Sequence, residues 1–228
     1  FYSESPFLVQ REDEAKLMSR AAALPRRDVE AVGYLHRVLI LCGLGVSFTG
    51  TSHHGSMGEH QISHYLDCFG GERRRGRTPL HGQQVGVASL TMARLQQMVL
   101  ASEEPPVVHA TRIDEDSMRR RYGPAAPACM AELAKKALDP AAARAMNRRL
   151  EAIWPELRRE LLAFTVPVAT MAAALRSAGG PTTAEALGID VGLYREAVLH
   201  AREIRDRFSM LDLADDAGLL ASFAEGEG

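Results

Sequence analysis

The feature that most limits the folds open to this chain is a succession of helix-forming runs with no strand pattern between them. Nowhere do apolar and polar residues alternate over a useful length, which excludes a half-buried sheet. Asp28 and Asp114 stand where helix N-caps belong, each before a run of good helix formers. We predict an all-α fold with one domain over residues 1–228, an irregular lead-in at 1–10 and a flexible tail at 221–228.

The local signals also predict where individual helices begin and end. Predicted helices cover 12–24, 29–42, 56–69, 81–102, 115–122, 128–138, 140–164, 168–178, 191–208 and 211–220. The helix after Asp28 is apolar enough that we expect its end to be buried, and glycines predict a loop from Gly43 to Gly58. Pro155 either starts a new helix or kinks a long one. Thr182 and Glu185 have the spacing of a capping box.

The composition is that of an ordinary globular protein and gives no sign of an unusual partner. Apolar residues make up 46% of the chain, charged residues 25%, and the formal net charge is −2, so neither nucleic acid nor an anionic membrane is expected as a partner. We find no run of about 18 apolar residues and expect no membrane span. The cysteines Cys42, Cys68 and Cys129 lack metal-like spacing, which favours free thiols and a cytoplasmic location.

The histidines concentrate in one stretch, where five of the eight fall within residues 50–82. His60 and His64 are four residues apart and therefore share a helical face, while His81 begins the next predicted helix and could return to the same point. A catalytic zinc or iron site needs about three protein ligands and an open position. Asp67 lies on the face of His60 and could complete such a site. The alternative is that these histidines are partly buried or surface residues without a ligand.

Two segments of this stretch, Gly58-Glu59-His60-Gln61-Ile62-Ser63-His64 and 80–87, resemble the helical domain of sn-glycerol-1-phosphate dehydrogenases. That group is related to dehydroquinate synthase, glycerol dehydrogenase and the iron-containing alcohol dehydrogenases. The resemblance extends to residues 2–4, 181–188, 200–208 and 211–213. It implies the C-terminal helical domain of the dehydroquinate synthase-like fold, without the N-terminal α/β nucleotide-binding domain.

The same resemblance implies a function and assigns roles to the three histidines. His60 and His81 would be metal ligands, His64 would face the substrate, and the metal would be zinc first, with nickel or iron as alternatives. The reaction would be reduction of dihydroxyacetone phosphate by NAD(P)H, with the nucleotide bound outside this chain. An aspartate from that other domain would complete the metal site, so we expect this chain alone to be inactive and its metal site to be weak. The sequence is compatible with a homo-oligomer but does not determine the oligomeric state.

Several basic residues have more than one interpretation, so the sequence does not determine which substrate is bound. Ser52 is followed by His53 and His54, where members of the resembling family commonly have Arg-Pro. The loss of that arginine brings phosphate recognition into question. Arg205 and Arg207 are interpreted as ion-pair or interdomain residues, with a phosphate contact as the alternative. Arg73–Arg77 is interpreted as a solvated loop, again with phosphate binding as the alternative. The competing functions are a glycerol or alcohol dehydrogenase, a synthase-like lyase, and a noncatalytic helical module.

Overall fold

The computed structural model describes residues 5–71 and 79–228. Its α-helices, numbered in chain order, are α1 Ser5–Ser19, α2 Val29–Thr49, α3 Gly58–Phe69, α4 His81–Ala101, α5 Glu115–Tyr122, α6 Ala126–Ala134, α7 Pro140–Phe164, α8 Val168–Ser177, α9 Val191–His200, α10 Met210–Asp216 and α11 Leu220–Glu225. Those two ranges contain no strand, which confirms the all-α prediction. The matched residues 2–4 and the arginine run at 73–77 lie outside the described residues.

Helices α1 and α2 form a hairpin at the start of the chain. Asp28 caps α2 as predicted, since its Oδ1 accepts a hydrogen bond of 2.9 Å from the N–H of Ala31. The predicted loop from Gly43 is wrong at its start, because α2 continues to Thr49 and ends at Gly50 in the left-handed region, with φ of 68°. A glycine inside a helix is favoured where another chain segment packs closely, and Gly45 meets both Pro6 and the following turn.

The expectation that α2 is buried by its end is also wrong. Its apolar side chains remain open to solvent, with Val29 86%, Leu39 62% and Phe48 65% exposed. Two segments, Val29–Thr49 and Pro140–Ser177, are long and apolar enough to cross a membrane by length and composition alone, a criterion that the core helices of globular proteins also meet, so the absence of a membrane span stays a prediction. Hydropathy predicts that an apolar helix is covered but not what covers it, and α1 covers one side of α2.

The main core lies among α3, α4, α9 and the helices that follow them. Buried side chains from these elements pack together, including Ile62 and Tyr65 of α3, Leu95 of α4, and Leu193 and Val198 of α9. A smaller cluster forms where Trp154 of α7 meets Val99 and Leu100 at the end of α4. The core therefore fixes α3 against the first turns of α4, where the histidines lie.

Some predicted helix boundaries are confirmed and others differ. Helix α7 runs through Pro155 as one element, which settles the alternative left open by the sequence. The capping box at Thr182 does not form, because Thr183 Oγ1 accepts from the N–H of Ala186 instead, at 3.1 Å.

Both ends of the chain are more regular than we expected. Helix α1 begins at Ser5, within the predicted irregular lead-in. At the other end, α11 occupies the predicted tail, and Glu227 is buried and accepts a 2.7 Å hydrogen bond from Arg94 Nε. The acidic, glycine-rich composition of this end predicted flexibility. Composition cannot show that Arg94, far away in the sequence, lies beside Glu227.

The predicted helix 191–208 stops early, and this difference matters for the site. Helix α9 ends at His200, a 3-10 turn covers Ala201–Ile204, and Arg205 is extended with φ of −148° and ψ of 151°. Arg202 explains the break, because its buried guanidinium bonds Asp212 and Asp216 at 3.1 Å each. A buried cation requires such partners, and reaching them turns the chain so that 205–207 run beside α3.

Candidate metal and substrate site

Helices α3 and α4 bring the three predicted histidines together at one end of their contact. The ring centroids are 5.2 Å apart for His60 and His81, 5.5 Å for His64 and His81, and 6.3 Å for His60 and His64. Helix α3 begins at Gly58, beside the side chain of Met92 of α4, whose Cε would lie 2.5 Å from a Cβ at that position. A helical pair four residues apart thus meets the first residue of the next helix, as the spacing predicted.

His60 is oriented by the residue that precedes it. Its Nδ1 lies 2.9 Å from Glu59 Oε1, and this carboxylate also accepts from the N–H of Met57 at 2.8 Å. Burial alone would raise the pKa of Glu59, but the hydrogen bonds from His60 and Met57 lower it overall. An ionised carboxylate only accepts, so Nδ1 of His60 carries a proton, and in the neutral ring Nε2 keeps its lone pair.

His81 is held by a chain of hydrogen bonds that runs through both helices. Ser63 Oγ donates to Gln84 Oε1 at 3.1 Å, and Gln84 Nε2 donates to Asp67 Oδ1 at 2.9 Å. A hydroxyl has one proton, so Ser63 Oγ must accept from His81 Nδ1, which lies 3.0 Å away. His81 therefore also keeps a lone pair on Nε2. Partners of this kind fix the tautomer and orientation of imidazoles that bind metals.

His64 differs from the other two because its Nε2 faces a cation. Arg205 Nη2 lies 3.3 Å from this nitrogen, and a guanidinium can only donate. Burial lowers the pKa of His64, and the charge of Arg205 lowers it further, so the ring is neutral near pH 7. In the neutral ring its proton is therefore on Nδ1.

Asp67 is placed at the outer end of the hydrogen-bond chain rather than among the rings. Its Oδ1 accepts from Gln84, which supports His81 through Ser63. Across residues 5–71 and 79–228, no set of three or more His, Cys, Asp or Glu side chains is arranged to hold a metal ion. Two bare imidazole nitrogens suit a divalent ion that takes nitrogen ligands, and a catalytic site needs a third protein ligand besides them.

The segment 205–209 is fixed against the site from three directions. The carbonyl oxygen of Arg207 accepts from Gln61 Nε2 of α3 and from Lys136 Nζ, at 3.0 Å each. The guanidinium of Arg207 donates to the Ser56 carbonyl at 2.6 Å and to Ser52 Oγ at 2.8 Å. One arginine therefore joins this segment to the loop that precedes α3.

Sequence reasoning missed the residues that orient the histidines. Ser63 and Gln84 were part of the matched motifs but had no role, although Ser63 follows His60 by three residues and Gln84 follows His81 by three. That spacing puts each on the face of its histidine. It was a usable signal, because polar side chains on a face that enters the core require partners.

Comparisons with known proteins find relatives of the family that the sequence motifs resemble. No protein-family model matches the chain. Glycerol-1-phosphate dehydrogenase of Haloquadratum walsbyi is 26% identical over 210 residues, which cover 92% of this chain and 40% of the relative. The Bacillus licheniformis enzyme of the same name is 24% identical over 219 residues, which cover 96% and 43%. The Pyrococcus furiosus enzyme is 35% identical over 82 residues, which cover 36% and 22%.

These relatives are dehydrogenases that use a nicotinamide nucleotide according to their names, so the chain resembles an oxidoreductase family. The resemblance to glycerol-1-phosphate dehydrogenases is confirmed over nearly the whole chain. The chain spans about two fifths of the length of these relatives, which is consistent with a C-terminal portion of that family.

Proposed function

We propose that this chain is the metal- and substrate-binding part of an NAD(P)H-dependent sn-glycerol-1-phosphate dehydrogenase that reduces dihydroxyacetone phosphate. One observation carries the proposal: the ring centroids of His60 and His81 lie 5.2 Å apart, and both Nδ1 atoms have a hydrogen-bond partner, so that in the neutral rings both Nε2 atoms are free to bind a metal. The similarity to dehydrogenases of that name supports it.

In this proposal the residues of the chain bind and orient. His60 and His81 would hold a divalent ion, with zinc first and nickel or iron as alternatives, and Glu59 and Ser63 would keep the two rings in the binding tautomer. When bound, such an ion polarises the ketone oxygen while NAD(P)H supplies hydride. His64 remains neutral and presents its Nδ1–H as a donor to a substrate oxygen.

Metal titration of the 228-residue chain tests the proposal without requiring turnover. Calorimetry with Zn²⁺, and absorbance with Co²⁺, should detect binding in the natural chain and a loss of at least about tenfold in affinity for His60→Ala and for His81→Ala. His36→Ala is the matched control, because His36 is an exposed histidine of α2. It should bind both ions as the natural chain does.

The results also separate the proposal from its alternatives. Metal binding that is unchanged in both His60→Ala and His81→Ala, or equally reduced in His36→Ala, would contradict the assigned ligands. Adding dihydroxyacetone phosphate to the Co²⁺ form should change its spectrum, since the substrate oxygen would enter the cobalt coordination shell. A change with glycerol alone would favour a glycerol dehydrogenase instead.

A further inference from the structure

The extended segment after α9 places the guanidinium of Arg205 beside the three histidines. The break at Ala201 lets Arg205 leave the helix and reach α3, where its Nη2 lies 3.3 Å from His64 Nε2. Lys136 and Gln61 hold the carbonyl of Arg207, two residues further on. Arg205 is therefore supported by a fixed backbone, as a binding residue must be.

Arg205 differs in its pairing from three other arginines that are partly or fully buried. Arg94 is paired with Glu227, Arg121 with Glu203, and Arg202 with several aspartates. Among the described residues, no carboxylate lies within ion-pair distance of Arg205. In the part of the chain that the structure describes, the one polar partner of Arg205 at hydrogen-bond distance is the His64 imidazole, so most of the guanidinium donors remain available there. A guanidinium presents five N–H donors in a geometry that matches phosphate oxygens.

The carboxylates closest to the histidines already have donors of their own. Glu59 accepts from His60 and from the N–H of Met57, and Asp67 accepts from Gln84. Arg207 adds a second cation, which bonds a carbonyl and a hydroxyl rather than a carboxylate. Arg205 and Arg207 thus bring two cations to a site that also holds the carboxylates of Glu59 and Asp67, and because no described carboxylate lies within ion-pair distance of Arg205, its guanidinium is the cation placed to meet an anion.

We propose that Arg205, with His64 beside it, binds the phosphate of a small phosphate monoester at this site. The inference deepens the proposed function and rests on it, because it places the phosphate end of the substrate next to the ring that would face the substrate oxygen.

Phosphate binding by the 228-residue chain tests the assignment directly. Calorimetry or ³¹P NMR would compare inorganic phosphate and dihydroxyacetone phosphate, with unphosphorylated dihydroxyacetone as reference. Arg205→Met should weaken binding of both phosphates by about tenfold or more, as expected for losing a charge-assisted bidentate contact. Arg205→Lys should retain part of the affinity, since it keeps the charge but loses the paired donors.

Arg148→Met is the matched control, because Arg148 is an exposed arginine of α7 that forms no ion pair with any residue in 5–71 or 79–228. It removes the same charge and should leave phosphate affinity unchanged. Equal weakening in Arg148→Met and Arg205→Met would mean that phosphate responds to overall charge alone. Unchanged affinity in Arg205→Met, or no phosphate binding by the natural chain, would overturn the proposal.

Zinc titration of the same variants keeps this proposal distinguishable from the proposed function. Zinc binding that depends on His60 and His81 while phosphate binding ignores Arg205 would overturn the phosphate site alone. Phosphate binding that depends on Arg205 while zinc binding ignores both histidines would overturn the metal assignment alone. Circular dichroism on each variant confirms that it is folded, and Arg205→Lys provides a second folded variant.

Discussion

The guanidinium of Arg205 donates toward Nε2 of His64 across 3.3 Å and thereby fixes which nitrogen of that ring carries the proton. A neutral imidazole has one donor and one acceptor nitrogen, and an arginine can meet only the acceptor. The tautomer of a residue in α3 is thus determined by a residue 141 positions later in the chain.

This relationship predicts the tautomer of His64 in solution. In ¹⁵N-detected NMR of the imidazoles near neutral pH, His64 should show Nδ1 protonated and Nε2 bare, and Arg205→Met should make both tautomers accessible. His36, exposed on α2, should give the same signals in both proteins. Protonation at Nε2 of His64 in the natural chain would contradict the contact.

Ser63→Ala should weaken metal binding although Ser63 would touch no metal. The substitution removes the acceptor for His81 Nδ1 and the donor to Gln84 Oε1 inside the core. We expect a loss of about 10-fold to 100-fold in Zn²⁺ affinity, typical of a residue that orients a ligand, and a fall of about 1–3 kcal/mol in the free energy of unfolding. Calorimetry and urea denaturation measure the two effects.

The control for this variant is Ser222→Ala, since Ser222 is exposed and bonds a carbonyl of its own helix turn. It should change neither quantity by much. A Ser63→Ala protein that loses stability but binds Zn²⁺ as before would show that Ser63 supports the fold and leaves His81 unaffected.

Arg207→Ala should loosen the loop that precedes α3. The variant loses the bonds to the Ser56 carbonyl at 2.6 Å and to Ser52 Oγ at 2.8 Å. Backbone amides of residues 50–58 should then exchange with deuterium faster, because little else in the loop ties it to the C-terminal segment. Arg207→Lys should restore part of the protection, whereas exchange that stays unchanged in Arg207→Ala would contradict the anchoring role.

Two glycines of α2 should respond in opposite directions to the same substitution. A Cβ on Gly45 would lie 2.8 Å from His54 Nε2 and 2.9 Å from Pro6 Cβ, whereas a Cβ on Gly33 would meet nothing within 4 Å. We expect Gly45→Ala to lower the free energy of unfolding by about 1–3 kcal/mol. Gly33→Ala should raise it by about 0.5–1 kcal/mol through helix propensity. Equal effects would contradict the close packing at Gly45.

These cases show what the sequence could and could not predict. Helix starts were predictable where a side chain caps its own helix, as Asp28 and Asp114 do, because the cause lies within four residues. The grouping of His60, His64 and His81 followed from helical spacing and one return of the chain. The end of α9 was not predictable, because it is associated with hydrogen bonds from Arg202 to Asp212 and Asp216, which lie ten or more residues later in the chain.

The same distinction holds for burial and for the site. Apolar periodicity identified α2 as a helix, but the exposure of Leu39 and Phe48 depends on which segments lie beside it. Residue spacing supplied the proposed ligands, whereas their tautomers depend on Glu59 and on the chain from Ser63 to Asp67. Arg205 was interpreted first as an ion-pair or interdomain residue; among the described residues no carboxylate pairs with it, and the interdomain role stays a prediction.

Glu203 should make the stability of the protein depend on pH in the acid range. Its carboxylate accepts from Tyr122 at 2.5 Å, from Arg121 at 2.9 Å and from His200 at 2.9 Å. Burial acts to raise the pKa of Glu203, but the hydrogen bonds and charges of these partners, His200 foremost, lower it overall. The stabilisation is therefore present above the unfolded pKa of about 4.3 and is lost as the pH falls through the folded pKa.

Glu203→Gln tests this dependence, because it removes the charge and keeps the shape. At about pH 7 the variant should be less stable than the natural chain by about 1–3 kcal/mol, and at about pH 3 the gap should shrink, since the carboxyl of the unfolded chain is then protonated and part of the stabilisation is lost. Glu156→Gln is the control, because Glu156 is 73% exposed in its pair with Arg159. It should cost at most about 0.5 kcal/mol at either pH. Urea denaturation at both pH values measures the gap, and a gap of equal size at the two would mean that the charge of Glu203 contributes nothing to folding.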